Sequence, residues 1–556
     1  HTLCHINNMC LIGGNQQSHI KRYDIHGRRK RCRIAEEQIS NSLNSAWLPE
    51  ELLLHIFSYF TSRELISTVC LVSKRWHRLG KSSLAILDYS VEPLFSSRKH
   101  VLASFLKFVD QIEVESPRLS TSIPVRVLKL QLNRRLEREI TQLMKSLAKF
   151  NFTELFLHSV SIKTMPSVLN NSNFLSVLHL TDCQFPNRRF SAVPTLFSLQ
   201  QLLLYDVVIE HSQDFFLNLS QKCPCIVELT LTNCSGCEYI DLPAGQYNKL
   251  KKLRLHNSYS KYSLGYGYSE LYKLQRVRIA AENLERFYLY YKGRNQIDLD
   301  IGQCGQLQFL HLHCEQNFPA GFHTTNICSM FPHLKTLFIY LNRPLNDTLR
   351  VVSDQLEILI VWNKYDLFIP VDFVTPNLRT FTYIGGEIIT DFAPIDASKI
   401  RETRIELSSS KTSNVDWFVK LRSYIAKFSK DTVLCLSIYE MAWFHLHNTD
   451  DLGIHLPCPI KKLKLHICQS LPQNHCKSLL DCLLWTSHPE ILEFDSNINF
   501  ELVLRKELDY MVTEQHCCKA TLVHRCWRLF LTDFKIVRSN STKRNEPKYF
   551  TILFTW

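Results

Sequence analysis

The sequence predicts an α/β protein: a short three-helix module followed by a right-handed repeat solenoid with a parallel concave sheet. Three observations carry this. Apolar residues recur at helical spacing between Trp47 and Leu79. From residue 125 onward the pattern apolar-x-x-apolar-x-apolar returns, over most of its length, every 22–27 residues. At 556 residues, 45% hydrophobic and 21% charged, the chain has the length and composition for a large buried core.

The helical module comes first. Pro49 suits the first turn of a helix, where a missing N–H is harmless, and Glu50 and Glu51 complement the positive helix end. Leu52, Leu53, Ile56, Phe57 and Phe60 follow at helical spacing. Thr61-Ser-Arg-Glu64 has the capping-box pattern and opens a second helix carrying Leu65, Ile66 and Val69. Leu71 and Val72 lead into a third, with Trp76 and Leu79, that stops at Gly80. Three such helices bury too little apolar area to be comfortable alone. Leu48, Phe57 and Trp76 therefore point to a face completed by another domain or another chain.

The repeats begin at Val125/Leu128/Leu130 and continue at Phe152, Leu175, Leu199, Ile226 and Leu250. They resume at Leu284, Leu307, Leu334, Leu356 and Leu378, with a last clear member at Ile460/Leu463/Leu465. Period and pattern are those of a leucine-rich repeat, whose ninth position is often Cys or Asn and is here Cys183, Cys234 and Cys468. Leu274-Gln-Arg-Val277-Arg-Ile279 stands only ten residues before Leu284 and reads as an extra strand in an enlarged loop. Between 400 and 440 the spacing stretches, with strands expected at Ile400/Ile405 and Leu434/Leu436. Helices are expected over 137–149, 214–222, 415–429 and 475–486, and loops in their place from 340 to 400.

The first module resembles the F-box. Leu48-Pro49-Glu-Glu-Leu52, Ile56-Phe57-Ser-Tyr-Phe60 and Leu71-Val72-Ser73-Lys74-Arg75-Trp76 carry the likeness in order and spacing. With the repeats, and with Leu483-Leu-Trp485-Thr-Ser-His488-Pro489 and Cys526-Trp527 through Asp533-Phe534-Lys535-Ile536, the chain resembles plant F-box/leucine-rich-repeat proteins with an FBD-like C-terminal region. One departure is Asn41 to Ala46, which sets Ile39-Ser40 further from Leu48-Pro49 than is usual. The resemblance implies a Skp-type adaptor and, through it, a cullin as partners, and a protein substrate recruited for ubiquitination. It implies adaptor contacts at Leu48, Pro49, Leu52, Ile56, Phe57, Leu65, Val72 and Trp76. The expected divisions are a disordered basic tail (1–45), the F-box (46–90), a helical linker (91–124), the repeat array (125–498) and the FBD-like region (499–556).

In each repeat strand, alternation sends positions three, five and seven away from the core and onto the concave surface. These are Phe156, His158, His179, Tyr205, Arg254 and His256, then Tyr288, Tyr290, His311, His313, Phe338, Tyr340, Ile358, Ile360 and Trp362. From 288 to 362 the face is unusually aromatic for positions expected to meet solvent. Aromatic residues are enriched in binding hot spots, so Tyr288, Tyr290, His311, His313, Phe338, Tyr340 and Trp362 are the candidate substrate-binding set. A small-molecule receptor on the same fold would need a basic group for a polyanion, and Lys252, Arg254 and His256 are the nearest one.

Of the net charge of +13, the stretch from Lys21 to Arg33 holds +6. The remainder is too mildly basic to support a nucleic-acid-binding body. Arg28-Arg29-Lys30-Arg31 reads equally as a nuclear-import signal or a solvated tail. No apolar run is long enough for a membrane span, and the start, HTLCHINNMCLIGG, lacks the unbroken apolar core of a signal peptide. The 20 cysteines are therefore expected to be reduced thiols, and the location nuclear, cytoplasmic or both.

Zinc would draw on Cys223, Cys225, Cys234 and Cys237, or on His516, Cys517, Cys518, His524 and Cys526. Neither group reproduces paired CxxC spacing. The sequence has no Walker loop, no GxGxxG in the right context and no HExxH. It is expected to be a non-catalytic ligase subunit with no cofactor. The alternative is a protein-interaction scaffold that uses the same helices without forming a ligase.

Overall fold

In the computed structural model the described residues are 49–57, 69, 72–82, 86–90, 127–131, 152–158, 169, 173–185, 194–209, 212–257, 274–293, 295–315, 319, 327–341, 349–363, 371–385, 400–407, 415–438, 458–467, 473–495, 498–513, 527–538 and 549–556. The chain divides into two compact units, His1–Leu84 and Ala85–Trp556. The expected helix over 137–149, the Thr61 capping box, Cys468, Leu48, Leu65 and Arg28 to Arg31 lie outside the described residues.

In the first unit, helix Glu50–Phe57 and helix Lys74–Ser82 are described. The Leu53 amide donates to the Pro49 carbonyl, so the first helix starts where Pro49 predicts. Ser73 caps the other: its hydroxyl accepts the Trp76 amide at 3.1 Å and its carbonyl accepts the His77 amide. Leu53 and Phe57, one helical turn apart, are buried together with Val69 and Leu79.

The second unit is built on an 18-stranded sheet. Its strands succeed one another in chain order, each parallel to the last, from Ile86–Ser90 to Pro489–Asp495. The expected repeats thus appear as neighbouring rungs in register, Leu155 beside Leu178 beside Leu202 beside Leu229 beside Leu253. These leucines, and their partners two residues on, are buried on the core side. Each buried leucine contributes roughly 1.5–3 kcal/mol, and no rung can bury its own without its neighbours. That mutual dependence is what makes the array one core.

Asp182, Asp206 and Asn233 close the strands Val177–Thr181, Gln201–Tyr205 and Glu228–Thr232 with positive φ of 53°, 51° and 52°. Asn and Asp tolerate this left-handed conformation better than other side chains. The turn aims the following Cys183 or Cys234 inward. There the Cys183 thiol donates to the Thr181 carbonyl at 3.2 Å, and Cys234 donates to the carbonyls of Leu204 and Thr232.

A second set of short parallel strands runs on the opposite side of the core. It includes Tyr239–Leu242, Arg276–Ile279 and Asp298–Asp300, paired in that order, and Leu349–Val352 with Val371–Val374. This corrects the reading of Leu274 to Ile279. The segment is a regular return strand, standing ahead of its next rung as Tyr239–Leu242 stands ahead of Lys252–Asn257 and pairing parallel with Tyr239–Leu242. A two-rung pattern carries both strands of each turn, and only the larger was visible as leucine spacing. The same correction applies at Leu349–Val352 and Val371–Val374, where return strands stand in place of the expected loops.

Helices Ser212–Lys222, Val415–Ile425 and Gln473–Ser487 stand where the sequence places them, and Ile498–Thr513 adds another. At the C-terminal end Tyr549–Thr555 joins Pro489–Asp495 antiparallel, and Asp533–Arg538 pairs outside it. Trp527 is buried, its indole N–H donating to Asp481 at 2.8 Å, and Trp556 stacks on His488 at 4.2 Å. The residues quoted for the FBD-like resemblance thus extend and close the sheet.

Candidate interaction surfaces

Two surfaces gather the residues singled out from sequence. The first is the outer side of helix Glu50–Phe57. Leu52 and Ile56, at i and i+4, are 49% and 41% exposed, and Val72 is 58% exposed. Pro49 is also exposed. Leu52 and Ile56, this open and one turn apart, form an uncovered apolar face on the helix, and Val72 is open on the segment before the other helix. Phe57 is a correction: it is fully buried, one residue round the helix from Ile56, and meets the Trp76 ring edge-on at 5.2 Å. It supports the face from beneath. Trp76 is half-buried, and its indole N–H has no hydrogen-bond partner among the described residues. Glu50 ties the two helices together through Arg78 at 3.2 Å and Arg75 at 3.7 Å.

The second surface is the side of the large sheet that faces away from the core. The register brings all seven candidate residues together in two parallel files. One runs Arg254, Tyr288, His311, Phe338, Ile360; the other runs His256, Tyr290, His313, Tyr340, Trp362. Their rings stack across the strands. His311 lies on Phe338 at 3.9 Å, Tyr290 on His313 at 4.1 Å and His313 on Tyr340 at 3.8 Å. Trp362 closes the second file edge-on, 5.0 Å from Tyr340.

Here the structure departs from expectation. Neighbouring strands are separated by little more than a ring stack, so successive aromatics shield one another instead of standing apart in solvent. His313, Phe338 and Tyr340 are only 3%, 6% and 2% exposed, while Tyr288, Tyr290, His311 and Trp362 keep a partly open edge. The stripe is a rigid, nearly dry platform with open ends. Trp362 Nε1 and His311 Nε2 are buried on it without a hydrogen-bond partner among the described residues.

Cations border one end. The Arg254 guanidinium lies over Tyr288 at 4.8 Å and the Lys292 ammonium over Tyr290 at 5.5 Å. Burial, reinforced by Arg254 and Lys292, holds His256 down at about 4. Burial, then Arg254 and His256, holds His311 down at about 3. Both imidazoles are neutral at physiological pH. The expected polyanion group of Lys252, Arg254 and His256 therefore shrinks to Arg254, the one cation of the three without a carboxylate partner among the described residues, since Lys252 is paired with Glu228 at 2.6 Å. Lys292, which lies just past the end of its strand and outside the alternation rule, was not foreseen.

Of the residues considered for zinc, His516, Cys517, Cys518, His524 and Cys526 lie outside the described residues. Cys234 occupies its repeat position, and burial pushes the Cys223 and Cys234 thiols up to about 12. Such thiols are poor thiolate nucleophiles.

Residues 46–85 match the F-box-like family model, and residues 110–384 match the leucine-rich-repeat domain of the At1g61320/AtMIF1 family. The chain is an F-box/leucine-rich-repeat protein, a class built for protein interaction. Its repeats are of the At1g61320/AtMIF1 type, in agreement with the plant-family resemblance. The FBD-like stretch lies beyond both matched spans. No curated protein sequence matches the chain. F-box domains generally bind Skp-type adaptors.

Proposed function

We propose that the chain is the substrate receptor of an SCF-type (Skp–cullin–F-box) ubiquitin ligase. It does no chemistry itself. The exposed Leu52, Ile56 and Val72, flanked by Pro49, take the adaptor, and the adaptor brings the cullin. The aromatic platform from Tyr288 to Trp362 takes the protein to be ubiquitinated. The observation that carries the reading is the pairing of an uncovered apolar F-box face with a separate, preformed aromatic surface on the repeats. Rigid aromatic anchors cost little ordering entropy on binding, which suits them to capture a partner without help from catalysis.

Co-expression of the full chain with a Skp-type adaptor and a cullin tests this. A stoichiometric ternary complex on gel filtration is expected. A folded chain that elutes apart from both would leave it an interaction scaffold outside any ligase.

A further inference from the structure

We infer that the aromatic platform ends in a carboxylate-binding subsite at Arg254, so that the partner it takes is an acidic peptide segment with an aromatic or apolar residue near its Asp or Glu. This rests on the proposed role of the sheet face as the substrate surface.

The argument begins with charge. Four cations lie at this end of the platform: Lys252, Arg254 and Lys292, with Arg286 exposed in register beside Lys252. Lys252 is 2.6 Å from Glu228 and Lys292 is 3.0 Å from Glu315, so both are already neutralised. Arg254 has no carboxylate within salt-bridge distance among the described residues; its recorded contact is the face of Tyr288. Beside it in register on the preceding rung stands Thr230, which is uncharged. Its field is felt at His256 and His311, whose charged forms it opposes, and at the Tyr205 hydroxyl, where Glu228 acts in the opposite sense.

Geometry makes the cation usable. The Arg254 guanidinium carbon lies 4.8 Å from the Tyr288 ring centroid, and a guanidinium held by a ring face alone has N–H donors left for a planar bidentate acceptor. Arg254 is half-buried, so an ion pair there is stronger than one in open water. One unpaired positive charge balances one carboxylate. A phosphate dianion would need further donors; the neighbouring lysines are committed, and Arg286 stands in register with Lys252, not with Arg254. From Arg254 the file continues directly to Tyr288, His311 and Phe338, so a segment anchored by its carboxylate lies along rings.

The probe is an array of ten-residue peptides of Gly and Ser carrying one Phe and, two positions away, Asp, Asn or phosphoserine, read with the purified full chain. Asp peptides are expected to bind about tenfold tighter than their Asn counterparts. Arg254→Gln should erase that difference, whereas Arg278→Gln, which removes an equal charge from the return strands, should preserve it. Equal binding of Asp and Asn peptides, lost in Trp362→Ala, would overturn the carboxylate subsite while leaving the platform as the binding surface. Preference for phosphoserine over Asp would overturn it in favour of a phosphate site. No binding of any peptide by chain still bound to adaptor would take the platform reading down with it.

Discussion

His313 and Tyr340, on neighbouring strands of the repeat sheet, lie ring on ring with centroids 3.8 Å apart and planes 10° from parallel. Both face away from the leucine core, yet both are almost inaccessible. The outer face of this solenoid therefore holds a second packed layer, which contributes to stability as well as to the proposed recognition.

That double role separates the rings by position. Tyr340→Ala removes a buried ring from the middle of the file and should destabilise the fold by about 3–5 kcal/mol, the usual cost of deleting a core aromatic. Tyr288→Ala, at the open end, should cost about 1 kcal/mol, close to the average point substitution. Urea unfolding of the two variants checks the order, and equal losses would mean that the layer is not packed as described.

The histidines of the layer make it acid-sensitive. His256 is held at about 4 and His311 at about 3, against an ordinary 6.5, because burial disfavours the imidazolium. The unfolded chain then binds more protons than the folded one between about 6.5 and these values. Stability should be level above about pH 6.5 and fall as the pH drops toward 4, with little further loss from these groups below about 3. Thermal melts from pH 8 to 4 should show the decline, and His311→Phe should make it shallower.

Gly236 sits at φ +78°, and a Cβ there would stand 2.1 Å from the Ile209 carbonyl oxygen. Backbone meets backbone, so neither side can yield without opening the turn between the two rungs. Gly236→Ala should lower stability by about 2 kcal/mol or more, whereas Gly245→Ala should cost only about 1 kcal/mol. Gly245 has a similar φ but nothing within 4 Å of an added Cβ. Parallel thermal melts of the two variants separate clash from conformational preference.

Much of this was legible in the chain because leucine spacing is set by the rung, and the rung is local. Leu284, Leu307 and Leu334 fix three strands and, by alternation, the side on which Tyr288, His311 and Phe338 fall. What spacing cannot show is how closely the outward side chains of different rungs approach. Phe338 and Tyr340 look solvent-facing in one strand and are buried only once the neighbouring strands are placed. The return strands hide for a related reason: Val277 and Ile279 are too few to mark a period alone. In the F-box, Phe57 differs from Ile56 by one position round a helix, and motif likeness does not distinguish the outer residue from the one beneath it. Asp182, Asp206 and Asn233 were a readable signal, an Asx residue before position nine in successive repeats, that marks the left-handed turn.

The central claim is that Leu52 and Ile56 stand open to receive an adaptor. The most direct measurement is the affinity of the purified full chain for a Skp-type adaptor, compared with a Leu52→Ala/Ile56→Ala double variant. Both side chains are outside the module's core, so the variant should melt within a few degrees of the parent. Its affinity should fall by at least about 100-fold, as for two truncated hot-spot residues. Undiminished binding by the double variant would contradict the account, as would a folded parent that does not bind at all.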